Sequence, residues 1–210
     1  MYLSKLMLNQ RHRQVRKDIA NPYDMHATLT WGASEASSKR SLWRLEHGRQ
    51  GAILLHQSQS EPNWQALLER HPGYATLDVA TPKPFKPTLK VGQVLRFRLK
   101  ANPTVTRFDP DSGKGKRRGL AGIEAQLVWL ERQGDRHGYE LVGAMVTSTE
   151  RVRALKRKQG NEERVITLQG VTYDGHLRVT DPDPFLSALQ GGVGRAKALG
   201  FGLLSVGPAR

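Results

Sequence analysis

The chain has 210 residues, of which 33 are lysine or arginine and 19 are aspartate or glutamate, so its formal net charge is +14. A surplus of this size opposes a compact state by self-repulsion. It favours a nucleic-acid partner, because each cation placed on a phosphate releases a condensed counterion. A thermophile's charged surface is the alternative, although such surfaces normally balance the two signs. The absence of cysteine excludes a disulfide scaffold, a thiolate zinc site and a thiol nucleophile, and it fits a reducing cytoplasm.

No part of the chain predicts a membrane partner. The opening residues are apolar for only a short stretch before the sequence turns basic, the reverse of the charge order in a signal peptide. No apolar run approaches the roughly 20 residues that a membrane-spanning helix needs.

The first eighty residues predict one βαββαβ series. The pair Asn21 and Pro22 is typical of a helix start, because asparagine accepts a backbone N–H at the N-cap and proline suits the first helical position. This helix is expected to end near Thr30, with Met25 and Leu29 facing the core. The other predicted elements are a strand at Tyr2–Leu8, a basic loop at Arg11–Lys17, a loop at Ala33–Ser41, strands at Leu42–Glu46 and Ala52–Gln57 joined by the turn His47–Gly51, a helix at Pro62–Arg70 and a strand at Tyr74–Ala80.

A second series of the same order follows a proline-rich stretch, Thr81–Lys90, which predicts a linker. Its predicted elements are a strand at Gln93–Lys100, a basic loop at Asp111–Gly119, a helix at Ala121–Gln133, strands at Tyr139–Thr147 and Arg164–Gln169, a short pairing of Val171–Tyr173 with Leu177–Val179, a helix at Pro182–Leu189 and a strand at Leu203–Val206. The order predicts an α+β protein with two tandem ferredoxin-like (RRM-like) βαββαβ domains and antiparallel sheets. We expect these domains at residues 1–80 and 91–210, joined by 81–90.

Tyr23 and His26 are the candidate catalytic residues. Residues three apart share one face of a helix, and the core-facing Met25 and Leu29 should turn both side chains outward. Histidine can give and take a proton near neutral pH, which suits cleavage of RNA through its 2′-hydroxyl. A surface tyrosine and histidine at this spacing also occur by chance. The remaining histidines do not have zinc-ligand spacing, so the sequence predicts no metal site and no cofactor.

Three basic clusters and one glycine-rich segment are the candidate RNA-binding elements. A charge run is usually a solvated face, but three runs in so basic a chain favour a shared electrostatic surface. The segment Gly191–Gly202 follows a helix and precedes a strand, which excludes a dinucleotide-binding fingerprint. Its bare backbone could approach phosphates, or its glycines could serve a helix cap and tight packing. The candidate RNA-binding residues are Arg11, Arg13, Lys17, Lys114, Lys116, Arg117, Arg118, Arg151, Arg153, Lys156, Arg157, Lys158, Arg195 and Lys197.

The chain resembles the CasE family, the CRISPR-associated endoribonucleases of type I-E (Cascade) systems. The resemblance runs end to end and rests on Met1–Lys5, the pair Tyr23 and His26, Phe97–Thr104 and Gly192–Leu204. It implies a metal-independent cut of CRISPR repeat RNA at the 3′ base of its hairpin. In that reaction the 2′-hydroxyl is the nucleophile, His26 transfers protons and Tyr23 assists. It also implies that the enzyme keeps its product and joins the other Cascade subunits.

One residue departs from the pattern that this resemblance implies. A basic residue is expected directly after the histidine, and the chain has Ala27. We therefore expect a weaker grip on RNA near the cut, with the chemistry of His26 retained. A non-catalytic RNA-binding subunit and a basic DNA-binding protein are the alternative functions. The second ranks lower because no helix-turn-helix, zinc finger or heptad region is apparent.

Overall fold

The computed structural model describes residues 1–32, 41–48, 51–77, 81–157 and 163–209. Its strands are β1 (Tyr2–Leu8), β2 (Leu42–Gly48), β3 (Gly51–Ser58), β4 (Ala75–Leu77), β5 (Lys83–Pro84), β6 (Val94–Ala101), β7 (Thr104–Asp109), β8 (Lys114–Gly119), β9 (Tyr139–Arg157), β10 (Glu163–Val179) and β11 (Leu204–Pro208). Its helices are α1 (Arg13–Ala20), α2 (Pro22–Leu29), α3 (Trp64–Arg70), α4 (Ile123–His137) and α5 (Pro182–Gly191). Short 3-10 turns lie at Thr30–Gly32 and Lys197–Leu199. Within these residues, no helix is both long and apolar enough to cross a membrane.

The first sheet has the strand order β2-β3-β1-β4, and β5 also pairs with β1. The central strands β1 and β3 are antiparallel, with Leu6 opposite Leu54, and both side chains are fully buried. Helices α1 and α2 cover them with Val15, Met25 and Leu29. Fully burying each such side chain contributes about 1.5–3 kcal/mol, so this core fixes where α2 lies.

The second sheet has the strand order β11-β6-β10-β9, again antiparallel throughout. Leu95, Phe97 and Leu99 alternate along β6 and enter a core to which α4 and α5 contribute Leu130 and Phe185. A separate hairpin, β7 with β8, is inserted between β6 and α4. Strand β9 forms one edge of the sheet, so its outer side is open to other parts of the chain.

The two strand orders are those of ferredoxin-like units, and the predicted fold class is confirmed. The predicted strands and helices of the first series recur with shifts of a few residues. The division into domains at 81–90 stays a prediction. Part of that stretch is regular structure, since Lys83 and Pro84 form β5 and pair with Leu3 and Tyr2 of β1. The predictions for Ala33–Ser41, His47–Gly51 and the end of Tyr74–Ala80 lie partly or mostly outside the described residues.

Two of the predicted basic loops are regular structure, so those predictions were wrong. Within Arg11–Lys17, helix α1 begins at Arg13, because the His12 Nδ1 atom accepts the backbone N–H of Gln14 and caps the first turn. Within Asp111–Gly119, Lys114–Gly119 is strand β8. The basic residues Arg151–Arg157 likewise continue β9 rather than lying between two strands.

The short pairing expected between Val171–Tyr173 and Leu177–Val179 was also wrong. Strand β10 runs unbroken through both segments, and Asp174 and Gly175 are paired with β9 and β6. A Cβ atom on Gly175 would overlap the backbone of Gly143 in β9. This glycine therefore marks a close approach of two strands and not a turn.

Candidate active site and nucleic-acid interface

The candidate catalytic helix, α2, lies between the two halves of the molecule. Tyr23 and His26 lie outside the first core, and both are half-buried rather than fully exposed. Tyr23 packs against Ala154 of β9 and against Leu199 and Phe201 of the glycine-rich segment. One side of α2 therefore fills the first core while the side with Tyr23 contacts the second half.

The His26 side chain is held in a partly desolvated place. Its Nδ1 atom is buried and has no hydrogen-bond partner among the described residues. Burial lowers the pKa of His26 below the ordinary histidine value. This position favours the neutral imidazole, which is able to accept a proton.

A buried carboxylate ties α1 to α2 beneath this site. Asp18 is 1% exposed, and its oxygens accept hydrogen bonds from Thr28 Oγ1 at 3.0 Å, Tyr74 Oη at 2.8 Å and Gln14 Nε2 at 2.8 Å. Burial raises the pKa of Asp18, and the three donors oppose that rise. The network fixes the back of α2, the helix that carries Tyr23 and His26.

A cavity of about 620 Å³ adjoins the N-terminal end of α2. Pro22 and Met25 line it beside the exposed cations Arg151 and Arg153 of β9. Other charges in its wall are matched by acids: Arg44 Nη2 lies 2.7 Å from Glu46 Oε1, and Lys100 Nζ lies 2.6 Å from Glu150 Oε1. Two predicted RNA-binding residues therefore do lie near the predicted catalytic helix.

A second cavity, of about 530 Å³, brings together two of the predicted basic elements. Arg117 of the β7–β8 hairpin lines it together with Arg195 and Lys197 of the glycine-rich segment. Arg136 and His137 add further basic groups that the sequence did not single out. They lie in the last turn of α4, where cations commonly complement the helix dipole, so their sequence context gave no signal.

The glycine-rich segment separates the two cavities and joins the two halves. A Cβ atom on Gly200, whose φ is +86°, would lie 2.7 Å from the Trp43 ring, and Trp43 Nε1 donates to the carbonyl of Ala198 at 3.1 Å. Lys197 Nζ donates to the carbonyl of Gly191 at 2.6 Å. At least part of the glycine content therefore serves packing, as the alternative interpretation of this segment expected.

Within the described residues, the other candidate RNA-binding residues do not line these cavities. Arg11, Arg13 and Lys17 are exposed on or beside α1, and Lys17 Nζ lies 3.7 Å from Asp24 Oδ1. Side chains alternate along a strand, so Lys114, Lys116 and Arg118 lie on the face of β8 opposite to Arg117. Lys156 is exposed on β9. Arg157 ends β9 but its side chain, like all of Lys158, lies outside the described residues.

Comparison with known proteins places this site in a family. The model of the family described as "CRISPR associated protein" matches residues 1–208. The chain belongs to this CRISPR-associated family. It is 40% identical over 220 residues to the CRISPR-associated endoribonuclease Cse3 of Thermus thermophilus, across 99% of this chain and all of the relative. It is 30% identical over 127 residues to the Cascade subunit CasE of Escherichia coli, across 57% of this chain and 61% of that relative.

Solved structures of the family have the same fold as this CRISPR-associated protein. Thermus thermophilus Cse3 bound to an RNA representing a pre-cleavage complex matches with a TM-score of 0.84 and 39% identity, over 99% of this chain and 98% of that one. Cas6e of Escherichia coli matches over the whole of both chains, with a TM-score of 0.74 and 27% identity. The likeness therefore covers both halves of the molecule.

Two further features of this CRISPR-associated protein bear on its chemistry. Among the described residues, no group of three or more His, Asp or Glu side chains lies close enough to hold a metal ion. Ala27, the departure noted in the sequence, is exposed on α2 next to His26. Its methyl group offers neither charge nor a hydrogen bond to a phosphate.

Proposed function

We propose that this protein is a cytoplasmic endoribonuclease that binds the hairpin of CRISPR repeat RNA and cuts at the 3′ base of the stem without a metal ion. It then keeps the processed RNA as a subunit of a Cascade complex. The observation that carries the proposal is the placement of His26. Its half-buried imidazole stands on a helix packed against the strand that bears Arg151 and Arg153.

The proposed chemistry depends on which of the two imidazole nitrogens of His26 can reach the RNA. Because Nδ1 is buried, Nε2 is the ring nitrogen available to a bound RNA. It removes the proton of the 2′-hydroxyl, and the 2′-oxygen attacks the adjacent phosphorus while the bond from phosphorus to the 5′-oxygen breaks. The proton is then delivered to the 5′-oxygen. The products carry a 2′,3′-cyclic phosphate, which can open to a 3′-phosphate, and a 5′-hydroxyl.

Tyr23 assists by orientation in this scheme. It lies one turn before His26 on the same side of α2, and its side chain packs against Ala154, Leu199 and Phe201. A fixed phenol can hold the 2′-hydroxyl in line for attack, and correct alignment of reacting groups lowers the barrier substantially. The packing of the ring is what makes its hydroxyl a fixed reference point.

The basic groups around the two cavities bind the RNA in this scheme. Arg117, Arg195 and Lys197 converge from two separate chain segments, which suits the curved backbone of a hairpin better than a single strand. Double-stranded RNA is recognised mainly by its shape and its phosphates. A cluster of cations drawn from two segments fits that mode of binding.

One experiment separates this proposal from its alternatives. The protein is incubated in EDTA with repeat RNA from its host's CRISPR array, beside the same RNA with a 2′-deoxy group at the cut site. Cleavage of the first RNA alone supports the proposal, because the nucleophile is then the 2′-hydroxyl. Binding without cleavage of either supports a non-catalytic RNA-binding subunit. Preference for duplex DNA over both overturns the RNA-binding proposal itself.

A further inference from the structure

The amide of Asn21 connects the catalytic helix to the RNA-binding strand. The residue is 5% exposed and lies between α1 and α2. Its Oδ1 accepts the backbone N–H of Leu155 at 3.0 Å, and its Nδ2 donates to the carbonyl of Leu155 at 3.0 Å. Both bonds reach strand β9 from a residue 134 positions away in the chain.

The two bonds place Asn21 on the open edge of β9. In an antiparallel pair, the N–H and C=O of one residue point to the same side of the strand. Since both groups of Leu155 bond to Asn21, they point away from its partner Val165 in β10. The side-chain amide thus acts as one residue of an added strand and satisfies both edge groups of the half-buried Leu155.

The same amide also sets the start of α2. Oδ1 accepts the backbone N–H of Tyr23 at 3.3 Å, and Nδ2 donates to Asp24 Oδ2 at 3.0 Å. The side chain therefore makes contacts on two sides at once: the first turn of the helix with Tyr23 and His26, and the strand with Arg151 and Arg153. An amide provides both an acceptor and two donors, which no hydroxyl or carboxylate can match.

We propose that Asn21 is a positioning residue that sets Tyr23 and His26 against the RNA held by β9. This rests on the proposed function of His26. Asn21 does not touch the RNA itself, because it is buried. Its loss allows α2 to shift against β9, and a displacement of about 1 Å in a catalytic site can lower a rate by roughly 10²-fold.

Two substitutions separate this role from helix capping. Serine and aspartate cap a helix about as well as asparagine. Aspartate has no donor for the carbonyl of Leu155, and the single, shorter hydroxyl of serine cannot occupy the positions of both Oδ1 and Nδ2. We expect Asn21→Ser and Asn21→Asp each to lower the single-turnover cleavage rate at saturating protein by at least roughly tenfold. For Asn21→Ser, the dissociation constant for uncleaved 2′-deoxy RNA should stay within about threefold, since this substitution changes no charge at the RNA-binding surface.

Asn63→Ser is the matched control. Asn63 caps α3 by accepting the N–H of Ala66 at 3.2 Å, and no other side-chain hydrogen bond of Asn63 is seen within the described part of the chain. Its substitution should leave the cleavage rate unchanged. Thermal melting of all variants sets a temperature at which each is folded, so that a lower rate reports the folded enzyme.

A double substitution tests whether Asn21 acts through His26. In a His26→Ala background, Asn21→Ser should cause little further loss, because groups that act as a unit are not additive. Wild-type rates in both Asn21 variants, with cleavage lost in His26→Ala, would overturn the positioning role alone. Loss of RNA affinity at an unchanged saturated rate would also overturn it. Wild-type cleavage by His26→Ala would instead refute the proposed function.

Discussion

Helix α2 and the β7–β8 hairpin carry the two parts of the proposed activity, and their surroundings are opposite. Around α2, polar side chains are buried and bonded: Asp18 accepts three hydrogen bonds and Asn21 takes part in four. On the hairpin, every residue of β8 is exposed. Proton transfer requires fixed geometry, whereas attraction to phosphates falls off slowly with distance and tolerates movement. Substitutions near α2 should therefore change the rate or the fold, and those on the hairpin should change affinity.

The largest effect is expected from His26→Ala. General acid–base catalysis typically contributes about 10²–10⁴-fold, so the single-turnover rate at saturating protein should fall by that order. The affinity for 2′-deoxy repeat RNA should be nearly unchanged, because the neutral imidazole contributes little charge. Gel electrophoresis of labelled RNA measures the rate, and filter binding measures the affinity.

His176→Ala is the control for that experiment, since His176 is an exposed histidine on β10. It should cut at the wild-type rate. If His26→Ala also cuts at the wild-type rate, the catalytic assignment of His26 is wrong. Helix α2 would then not be the catalytic region that contrasts with the β7–β8 hairpin.

Asp18→Ala should have the next largest effect, on stability. The substitution removes the acceptor of three buried or part-buried hydrogen bonds and leaves their three donors without this partner. The free energy of unfolding should therefore fall by about 3 kcal/mol. Urea unfolding followed by circular dichroism measures the loss. Asp111→Ala, at an exposed position in the turn between β7 and β8, is the comparison, and it should lower the free energy of unfolding by less than about 0.5 kcal/mol. Equal losses for the two would contradict the contrast between a fixed α2 and a loosely held hairpin.

Asp18 and Asn21 also show what the sequence could and could not reveal. The helix start at Asn21 was predictable because capping is local, and the apolar spacing of Met25 and Leu29 identified the face that enters the core. The bond from Asn21 to Leu155 was not predictable, since it joins residues 134 positions apart. The same holds for Asp18, which looks like one more charge in a basic stretch until Thr28 and Tyr74 are brought beside it.

The pH dependence of cleavage should report the environment of His26. A general base works when it is neutral, so the second-order rate constant should rise up to about tenfold per pH unit and then level off. Burial lowers the pKa of His26, which places the midpoint below the ordinary histidine value of about 6.5. A rate that falls as the pH rises through this range would contradict the base role.

Acid unfolding has to be separated from that profile. His56 is buried and its pKa is lowered to about 3. The unfolded chain takes up this proton near pH 6.5 and the folded chain does not, so stability declines as the pH falls below about 6.5. Melting curves at each pH identify the range in which the protein stays folded, and only rates in that range bear on His26.

A smaller effect, on affinity, is expected when Arg117 and Arg195 are both replaced by alanine. Both line the second cavity, and removing a cation from a phosphate should reduce the slope of log affinity against log salt by about 0.7–0.9 for each phosphate involved. The dissociation constant at moderate salt should rise about tenfold, while the saturated cleavage rate stays close to wild type. The control replaces Lys86 and Lys90, which are exposed outside the basic clusters, and removes the same charge. If both double variants lose equal affinity, the cavity is not a specific binding surface.

The sequence identified Arg117 and Arg195 as candidate RNA-binding residues, but it could not predict that both line the same cavity. The glycine-rich segment looked like a loop near phosphate, yet Gly200 is needed because the Trp43 ring leaves no room for a side chain. The clusters Arg11–Lys17 and Lys114–Arg118 were treated as loops because their composition is strongly basic. Composition does not decide local structure when a cap or a partner strand is present, as His12 and β7 show.

The smallest effect is expected from Ala27→Arg, which adds charge at the boundary between the two regions. Ala27 is exposed and follows His26 directly, so an arginine there can reach a phosphate near the cut. An exposed charge pair contributes about 0.2–1 kcal/mol, which corresponds to a gain in affinity of up to about fivefold. Ala209→Arg adds the same charge at an exposed alanine near the chain end and controls for net charge. A gain confined to Ala27→Arg would show that α2 can also contribute to grip in this chain. Equal affinities and equal cleavage rates for Ala27→Arg and wild type would mean that the missing basic residue costs nothing.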